Sequence, residues 1–230
     1  YNNMYKNDLN KFCGIPERQE LVVPIARGCP VGCHFCDVHR MQGLQERRIS
    51  VNRTLEYIQD SFSKLPFEYF TFYAPTFTLD KKWVKEFCEK KIALQLSYPW
   101  KCVTVLKTLT QDLLVLMAEA GCVRISFGIE SFDEDASQGL PRLKRDSWDH
   151  FESICQRAKE LGVEINVFLI LGLPEDTPKS MEKTIKACIE RGIRVRPTIY
   201  TPYEQLCDDF SVNQIAAYNR QIFVAGSVKN

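Results

Sequence analysis

Residues 160–199 read ELGVEINVFLILGLPEDTPKSMEKTIKACIERGIRVRPTI, and this stretch decides the fold. A helix runs out at Gly162, and Glu164–Leu171 follows as an apolar, β-branched run of strand length. Thr177 and Pro178 then open a new helix, one as N-cap and the other with its φ already fixed for the first helical position. That helix stops at Gly192, and Arg194–Ile199 is the next strand. Strand, helix and strand in this order form a βαβ unit, which calls for a parallel sheet and a right-handed crossover.

The same helix–glycine–strand junction occurs at Gly121-Cys122-Val123, Gly162-Val163-Glu164 and Gly192-Ile193-Arg194. Toward the N-terminus, the strand-like runs are Leu21–Ala26, Glu68–Tyr73, Ile92–Tyr98 and Val123–Ile129. Between them lie helices over Val51–Leu65 behind Ser50, Asp80–Lys91 behind Thr78, Gln111–Ala120 and Ser147–Leu161. A closing helix is expected over Val212–Phe223 behind Ser211. A complete eight-unit barrel takes about 250 residues. Six units in 230 residues therefore predict an α/β fold, a partial (β/α)6 TIM-type barrel of parallel strands, with an open doubly wound sheet as the alternative. The expected division is an N-terminal extension over 1–20, the barrel over 21–205 and a C-terminal helical segment over 206–230.

Alternation within the strands is informative because parallel strands covered on both faces tend to be continuously apolar. In the fourth strand Val123, Ile125, Phe127 and Ile129 oppose Arg124, Ser126, Gly128 and Glu130. In the sixth, Arg194, Arg196, Thr198 and Tyr200 oppose Val195, Pro197 and Ile199, and in the fifth Glu164 and Asn166 share a face. One polar face per strand predicts a lumen that holds water or a polar ligand. Arg194 and Glu164 read equally well as solvent-facing strand starts. Glu130 and Tyr200 fall at C-terminal strand ends, where α/β proteins place their sites.

Composition narrows the function classes. Apolar residues make up 45% and charged residues 26%, the balance of a folded globular chain. Lys plus Arg is 30 against 29 for Asp plus Glu, so no global field recruits nucleic acid or an anionic membrane. The longest apolar stretch, Ile165–Leu173, is too short to span a bilayer. The chain opens on Tyr1 rather than Met and reads as lacking its native N-terminus. It has ten cysteines, of which seven (Cys13, Cys88, Cys102, Cys122, Cys155, Cys188 and Cys207) are scattered through periodic segments, where a free thiol behaves as a small hydrophobe. That usage predicts a reducing, cytoplasmic setting.

The other three crowd together in Arg27-Gly28-Cys29-Pro30-Val31-Gly32-Cys33-His34-Phe35-Cys36, just past the first strand. Thiolates ligate iron–sulfur clusters and zinc. Three of them leave one iron of a [4Fe–4S] cube open for a non-protein ligand. Zinc is the competing reading, because Cys33-x-x-Cys36-x-x-His39 has credible spacing, although structural zinc sites usually draw on a second knuckle.

Cys29-Pro30-Val31-Gly32-Cys33-His34-Phe35-Cys36, with an aromatic before the last Cys, resembles the signature of the radical S-adenosylmethionine (SAM) superfamily. Arg47-Arg48-Ile49-Ser50, Tyr73-Ala74-Pro75-Thr76-Phe77-Thr78, Ala120-Gly121-Cys122, Gly128-Ile129-Glu130-Ser131 and Leu171-Gly172-Leu173-Pro174-Glu175-Asp176-Thr177 extend the similarity over about residues 21–205. The later motifs are similar to the subgroup that often carries a cobalamin domain. The resemblance implies a partial barrel with a [4Fe–4S] cluster on Cys29, Cys33 and Cys36, and SAM chelating the fourth iron. Reductive cleavage of SAM would give methionine and a 5′-deoxyadenosyl radical that abstracts a substrate hydrogen.

Carried over by position, Phe35 would pack near the adenine, and Tyr73, Ala74 and Pro75 would meet the SAM amino group through backbone carbonyls. Glu130, with Ser126 on its face, would bind the ribose hydroxyls or the amino group. Leu171, Gly172, Leu173 and Tyr200 would flank the adenine. A base for the SAM carboxylate would come from Arg142, Lys144 or Arg145, with Arg142 the chosen candidate. The second-strand turn lacks the Gly-Gly-Glu of many members, and no C-terminal cysteine array suggests auxiliary clusters. Cys102 is the candidate thiol for hydrogen donation.

The expected substrate is a small polar molecule, with Arg196 and Arg124 available for an anionic group. The expected electron donor is of flavodoxin or ferredoxin type, and neither membrane nor nucleic acid is an expected partner. Two other readings stand beside this one. One is the catalytic part of a cobalamin-dependent methyltransferase or RNA-modifying relative whose other domain is absent. The other is a non-enzymatic iron–sulfur or zinc protein.

Overall fold

The computed structural model describes residues 19–133, 137–174, 176–200 and 209–217. Six parallel strands follow one another in chain order across a single sheet: β1 (Glu20–Pro24), β2 (Tyr69–Tyr73), β3 (Trp100–Thr104), β4 (Cys122–Gly128), β5 (Glu164–Leu171) and β6 (Arg194–Ile199). The five long connecting helices are α1 (Val51–Lys64), α2 (Lys81–Ala93), α3 (Gln111–Glu119), α4 (Trp148–Glu160) and α5 (Pro178–Ile189). β1 and β6 are both edges, so the fold is a partial barrel that does not close. The short helical run at 212–217 begins where a closing helix was expected, and the remainder of that segment lies outside the described residues.

The helices start and stop where their end residues dictate. Ser50, Thr110, Ser147 and Thr177 each accept a backbone N–H from the first turn that follows, and Thr177 with Ser180 forms a reciprocal capping box. At the end of α3, Gly121 sits at φ +86°, a left-handed value that a side chain would strain, and Gly162 and Gly192 take the same role after α4 and α5. The junction glycines read from the sequence are thus turns that reverse the chain into each strand.

Two boundaries depart from expectation. The alternating run Ile92–Tyr98 is not a strand. α2 continues through Ala93, Gln95 turns the chain at φ +52°, and β3 begins only at Trp100, after Pro99. The helix cap is also shifted. Asp80, not Thr78, accepts the Trp83 N–H, while Thr78 is buried in a hydroxyl chain with Thr104 and Thr108. A third departure is local. β3 and β4 pair Trp100 with Cys122 but Lys101 with Arg124, so Val123 bulges out of register and is exposed rather than facing the core.

The core lies between sheet and helices. Leu21, Val23, Phe70, Phe72, Trp100, Cys102, Ile125, Phe127, Ile165, Val167 and Leu169 form one wall of it. Trp100 is its centre: fully buried, with ring centroids of Phe72, Phe77 and Phe87 at 5.3, 5.4 and 5.8 Å, and its indole N–H donating to the Ala120 carbonyl. The alternate residues face the lumen. At the N-terminal end this face carries ion pairs, Glu20 with Lys101 at 2.9 Å and Arg124 with Glu164 at 2.6 Å. Higher up it carries Val103, Ser126, Asn166 and Arg194 in one register row, then Gly128, Phe168 and Arg196 in the next.

Candidate active site at the C-terminal rim

The cysteine loop leaves β1 through a two-residue antiparallel ribbon, Ala26–Arg27 against Arg47–Arg48. This ribbon ties both ends of the loop to the rim. Inside it, the Cys29 N–H donates to the Gly43 carbonyl, the Cys36 N–H to the Cys33 carbonyl, and the Gly28 N–H to Gln42 Oε1. Gly28 has φ +83°, and a Cβ there would stand 2.2 Å from the Gln45 carbonyl oxygen, so only glycine lets the two arms of the loop approach. Arg48 fastens the loop to the turn after β2. Its guanidinium pairs with Glu46, donates to the Thr76 and Phe77 carbonyls, and lies over the Trp83 ring.

Cys29, Cys33 and Cys36 are all free thiols. Cys33 is buried, and that burial pushes its thiol up to about 12, with Lys144 pulling the other way. Cys29 Sγ is 3.9 Å from Thr76 Oγ1. Among the described residues no three His, Cys, Asp or Glu side chains converge to hold a single metal ion. A cube needs no such convergence, because each thiolate binds its own iron. Three unpaired soft donors on one glycine-cradled loop, with a lysine beside the buried one, fit a [4Fe–4S] cluster bound through Cys29, Cys33 and Cys36.

Glu130 stands across from this loop at the end of β4. It is buried, in a left-handed conformation at φ +65°, and paired with Lys144 at 2.7 Å. Lys144 Nζ also donates to the Gly128 carbonyl at 3.1 Å. Gly128 makes room for the pair, since a Cβ there would lie 2.5 Å from Lys144 Nζ and 2.8 Å from Glu130 Oε1. Arg142, in the same short turn, is exposed, and among the described residues only its carbonyl is engaged, by Lys107. The cation brought to the rim is therefore Lys144 and not Arg142, because the turn directs position 144 inward.

After β5, the Gly172 and Leu173 N–H groups both donate to Asp176 Oδ2, folding the chain end back on itself. Burial raises the Asp176 carboxyl even so. The Tyr200 N–H donates to the Leu171 carbonyl, and its ring lies 6.2 Å from that of His34, which meets Phe35 at 5.2 Å. Phe35, Leu171 and Tyr200 are thereby brought to the cysteine loop.

At the second-strand turn the Tyr73 carbonyl accepts the Ile25 N–H, whereas those of Ala74 and Pro75 have no donor among the described residues. Ser126 faces the lumen two residues below Gly128.

Besides Arg142, two expected residues are not brought to the site. Cys102 lies in the middle of β3, on the helix-facing side with Trp100 and Thr104, and is buried in the aromatic core away from the lumen. Arg124 is neutralised by Glu164 at the opposite end of the barrel, so it does not join Arg196. In the sequence Arg48 and Thr76 stand only as parts of longer motifs, with no role of their own, and Gln42 is not singled out. Asn166 was noted only for its face. In the structure it is 1% exposed, and its Oδ1 has no hydrogen-bond partner among the described residues.

No helix among the described residues is long and apolar enough to cross a membrane. The family model described as the radical SAM superfamily matches residues 23–188. An uncharacterized methyltransferase of Pyrococcus horikoshii is 31% identical over 192 residues, covering 79% of this chain and 39% of its own length. The anaerobic magnesium-protoporphyrin IX monomethyl ester cyclase of Rubrivivax gelatinosus is 25% identical over 221 residues, covering 91% of this chain and again 39% of its own length. The chain thus spans about two fifths of the length of these curated relatives.

Among solved structures, the radical SAM methyltransferase TsrM from Kitasatospora setae, with tryptophan substrate and a SAM analogue bound, superposes with a TM-score of 0.71. It is 14% identical, over 80% of this chain and 37% of that one. Methylornithine synthase superposes at 0.60, with 17% identity over 90% of this chain and 64% of that one. The match of the family model, over the span that contains the cysteine loop, the Glu130–Lys144 pair and the turn after β5, makes this chain a member of the radical SAM superfamily and, with it, an enzyme that uses a [4Fe–4S] cluster and SAM.

Proposed function

We propose that the protein generates a 5′-deoxyadenosyl radical at the rim and uses it to abstract hydrogen from a small polar molecule held in the lumen. One observation carries this reading. The cysteine loop, the Glu130–Lys144 pair and Tyr200 share one end of a barrel whose inner wall is polar and open. The cluster supplies, when bound, the electron that breaks the sulfonium carbon–sulfur bond of SAM, after receiving it from a donor of flavodoxin or ferredoxin type.

The chain's own residues orient and exclude. Phe35, Leu171 and Tyr200 give an apolar flank for the adenine, with Gly172 and Leu173 beside them. The free carbonyls of Ala74 and Pro75, next to Tyr73, suit the SAM ammonium, and Lys144 suits its carboxylate in place of Arg142. Glu130 and Ser126 offer acceptors to the ribose hydroxyls. Burial of Glu130 with Lys144 keeps water from the reacting centre. The barrel over 21–205 works in the cytoplasm, with the segments 1–20 and 206–230 outside the radical chemistry.

Protein reconstituted anaerobically with iron and sulfide, then mixed with SAM and dithionite, is expected to form 5′-deoxyadenosine and methionine. A protein that binds iron yet forms neither would overturn the proposal.

A second reading has its own support. The chain covers 39% of relatives named as a methyltransferase and a cyclase, so it suits the catalytic part of a larger enzyme. In that case a further domain, of the cobalamin-binding kind in the methyltransferase reading, would set the outcome of the radical step. Activity of the full-length gene product in the presence and absence of cobalamin separates the two.

A further inference from the structure

Among the described residues, two arginines on the lumen face have no counter-charge. Arg194 and Arg196 lie in register with Asn166 and Phe168. They point away from Val195, which packs on the helix-side core. Both are exposed, and neither makes a hydrogen bond or ion pair among the described residues. Arg124 and Lys101, by contrast, face the same lumen and are each paired with a carboxylate.

The row that Arg194 belongs to continues across the sheet with neutral groups. Asn166 is almost wholly buried, and its Oδ1 accepts no hydrogen bond from the described residues. A buried carbonyl without a donor costs stability, and an N–H or O–H from a bound molecule would satisfy it. Ser126 is its register neighbour on β4, buried and with no hydroxyl partner among the described residues. Val103 comes next and is 37% exposed although it lies on the inner wall, so the lumen is open beside it. The register partner of Asn166, Arg194, is exposed, and Phe168, two residues further along β5, is half-buried.

We propose that this row anchors the substrate. It takes a molecule with a carboxylate or phosphonate group, held by Arg194 and Arg196, and with an N–H or O–H a few bonds away that donates to Asn166 Oδ1. Guanidinium forks match both anions, and Asn166, one strand over, is a short molecule's length from them. The proposal rests on the radical SAM reading above, which puts the reacting end of such a molecule toward the rim.

Arginine modification by phenylglyoxal, followed residue by residue with peptide mass spectrometry on the anaerobic, cluster-loaded protein, tests it. Acetate and methylphosphonate serve as the two anions, and glycolate and hydroxymethylphosphonate as the same anions with a hydroxyl added. Saturating probe is expected to slow modification of Arg194 and Arg196 roughly tenfold, leaving exposed Arg53 on α1 unchanged. Protection by only one parent anion assigns the site to that chemistry, and protection by both assigns it to anions generally. No protection of Arg194 and Arg196 relative to Arg53 overturns the anchor.

The hydroxylated probes are expected to protect at lower concentration, an advantage that Asn166→Leu removes and Asn166→Asp converts into loss of protection by charge repulsion. An advantage that survives both substitutions overturns the part assigned to Asn166. The arginine result needs no variant. Absence of 5′-deoxyadenosine from wild-type protein would instead strike the radical reading and leave the anion site standing.

Discussion

Single residues at the rim hold charge where water does not reach, and the Glu130–Lys144 pair is the clearest case. Both side chains are nearly inaccessible, at 5% and 12%, so removing one partner leaves the other buried and uncompensated. Lys144→Met is expected to cost about 3–5 kcal/mol in urea unfolding. Adding Glu130→Gln should restore most of that, because the double change removes both charges.

Lys91, at the other end of the barrel, illustrates the pH side of the same physics. It is 2% exposed, donates to the Leu96 carbonyl, and burial holds its pKa down to about 8. Between about 8 and its ordinary value near 10.5 the unfolded chain binds more protons there, so this residue's contribution to stability rises with pH across that window. Buried thiols act in the opposite sense. Cys155 and Cys188 are pushed up by burial to about 12 and about 11, so the stability they contribute is full below pH 9 and falls away above it. The lysine's share is thus read as a difference. Wild type should gain on Lys91→Met as pH rises from 8 to 10.5, by about 3 kcal/mol at most. Parallel stability curves for the two proteins would remove the buried-ammonium account.

At the scale of elements, β3 shows how side chains outside a strand set where it starts. Ile92–Tyr98 alternates as a strand should, yet Trp100 defines the strand by filling the space between Phe72, Phe77 and Phe87. α2 takes the preceding residues instead, burying Trp83, Val84, Phe87, Cys88 and Lys91 on one side. Trp100→Ala is expected to cost about 3–5 kcal/mol in denaturant unfolding, as large aromatic truncations in tight cores do. Trp100→Phe should cost less, since only the indole N–H to Ala120 and part of the volume are lost. The same packing explains Cys102. Its place between Trp100 and Thr104 faces it toward helices, and β3 alternation then hands the lumen to Lys101 and Val103.

For the whole molecule, the sheet and its helices form one continuous core that does not include the cysteine loop apart from its first strand and ribbon. The fold is therefore expected to survive without the cluster. Cys36→Ala should melt cooperatively within about 3 °C of the wild-type apoprotein, a difference of about 1 kcal/mol or less, while retaining far less iron after reconstitution. Collapse of the far-UV circular dichroism in this variant would instead mean that the metal is structural.

Much of this architecture was legible one residue at a time. β5, β6 and the caps at Ser50, Thr110, Ser147 and Thr177 follow from local chemistry: β-branched runs, side-chain oxygens before a helix, and glycines where φ must turn positive. The cysteine loop was legible too, because three thiols in eight residues need no tertiary context to suggest a cluster. Everything that depends on which distant chain segments meet was decided only by the folded structure. Lys144 meets Glu130, across fourteen residues, because the turn after β4 aims it there, while Arg142 two residues earlier stays exposed. Arg124 is withdrawn from the lumen's charge by Glu164, forty residues away on the next strand. Asn166 is buried without a donor among the described residues and in register with Arg194, and burial and partnership are properties of the assembled barrel, not of any window of sequence.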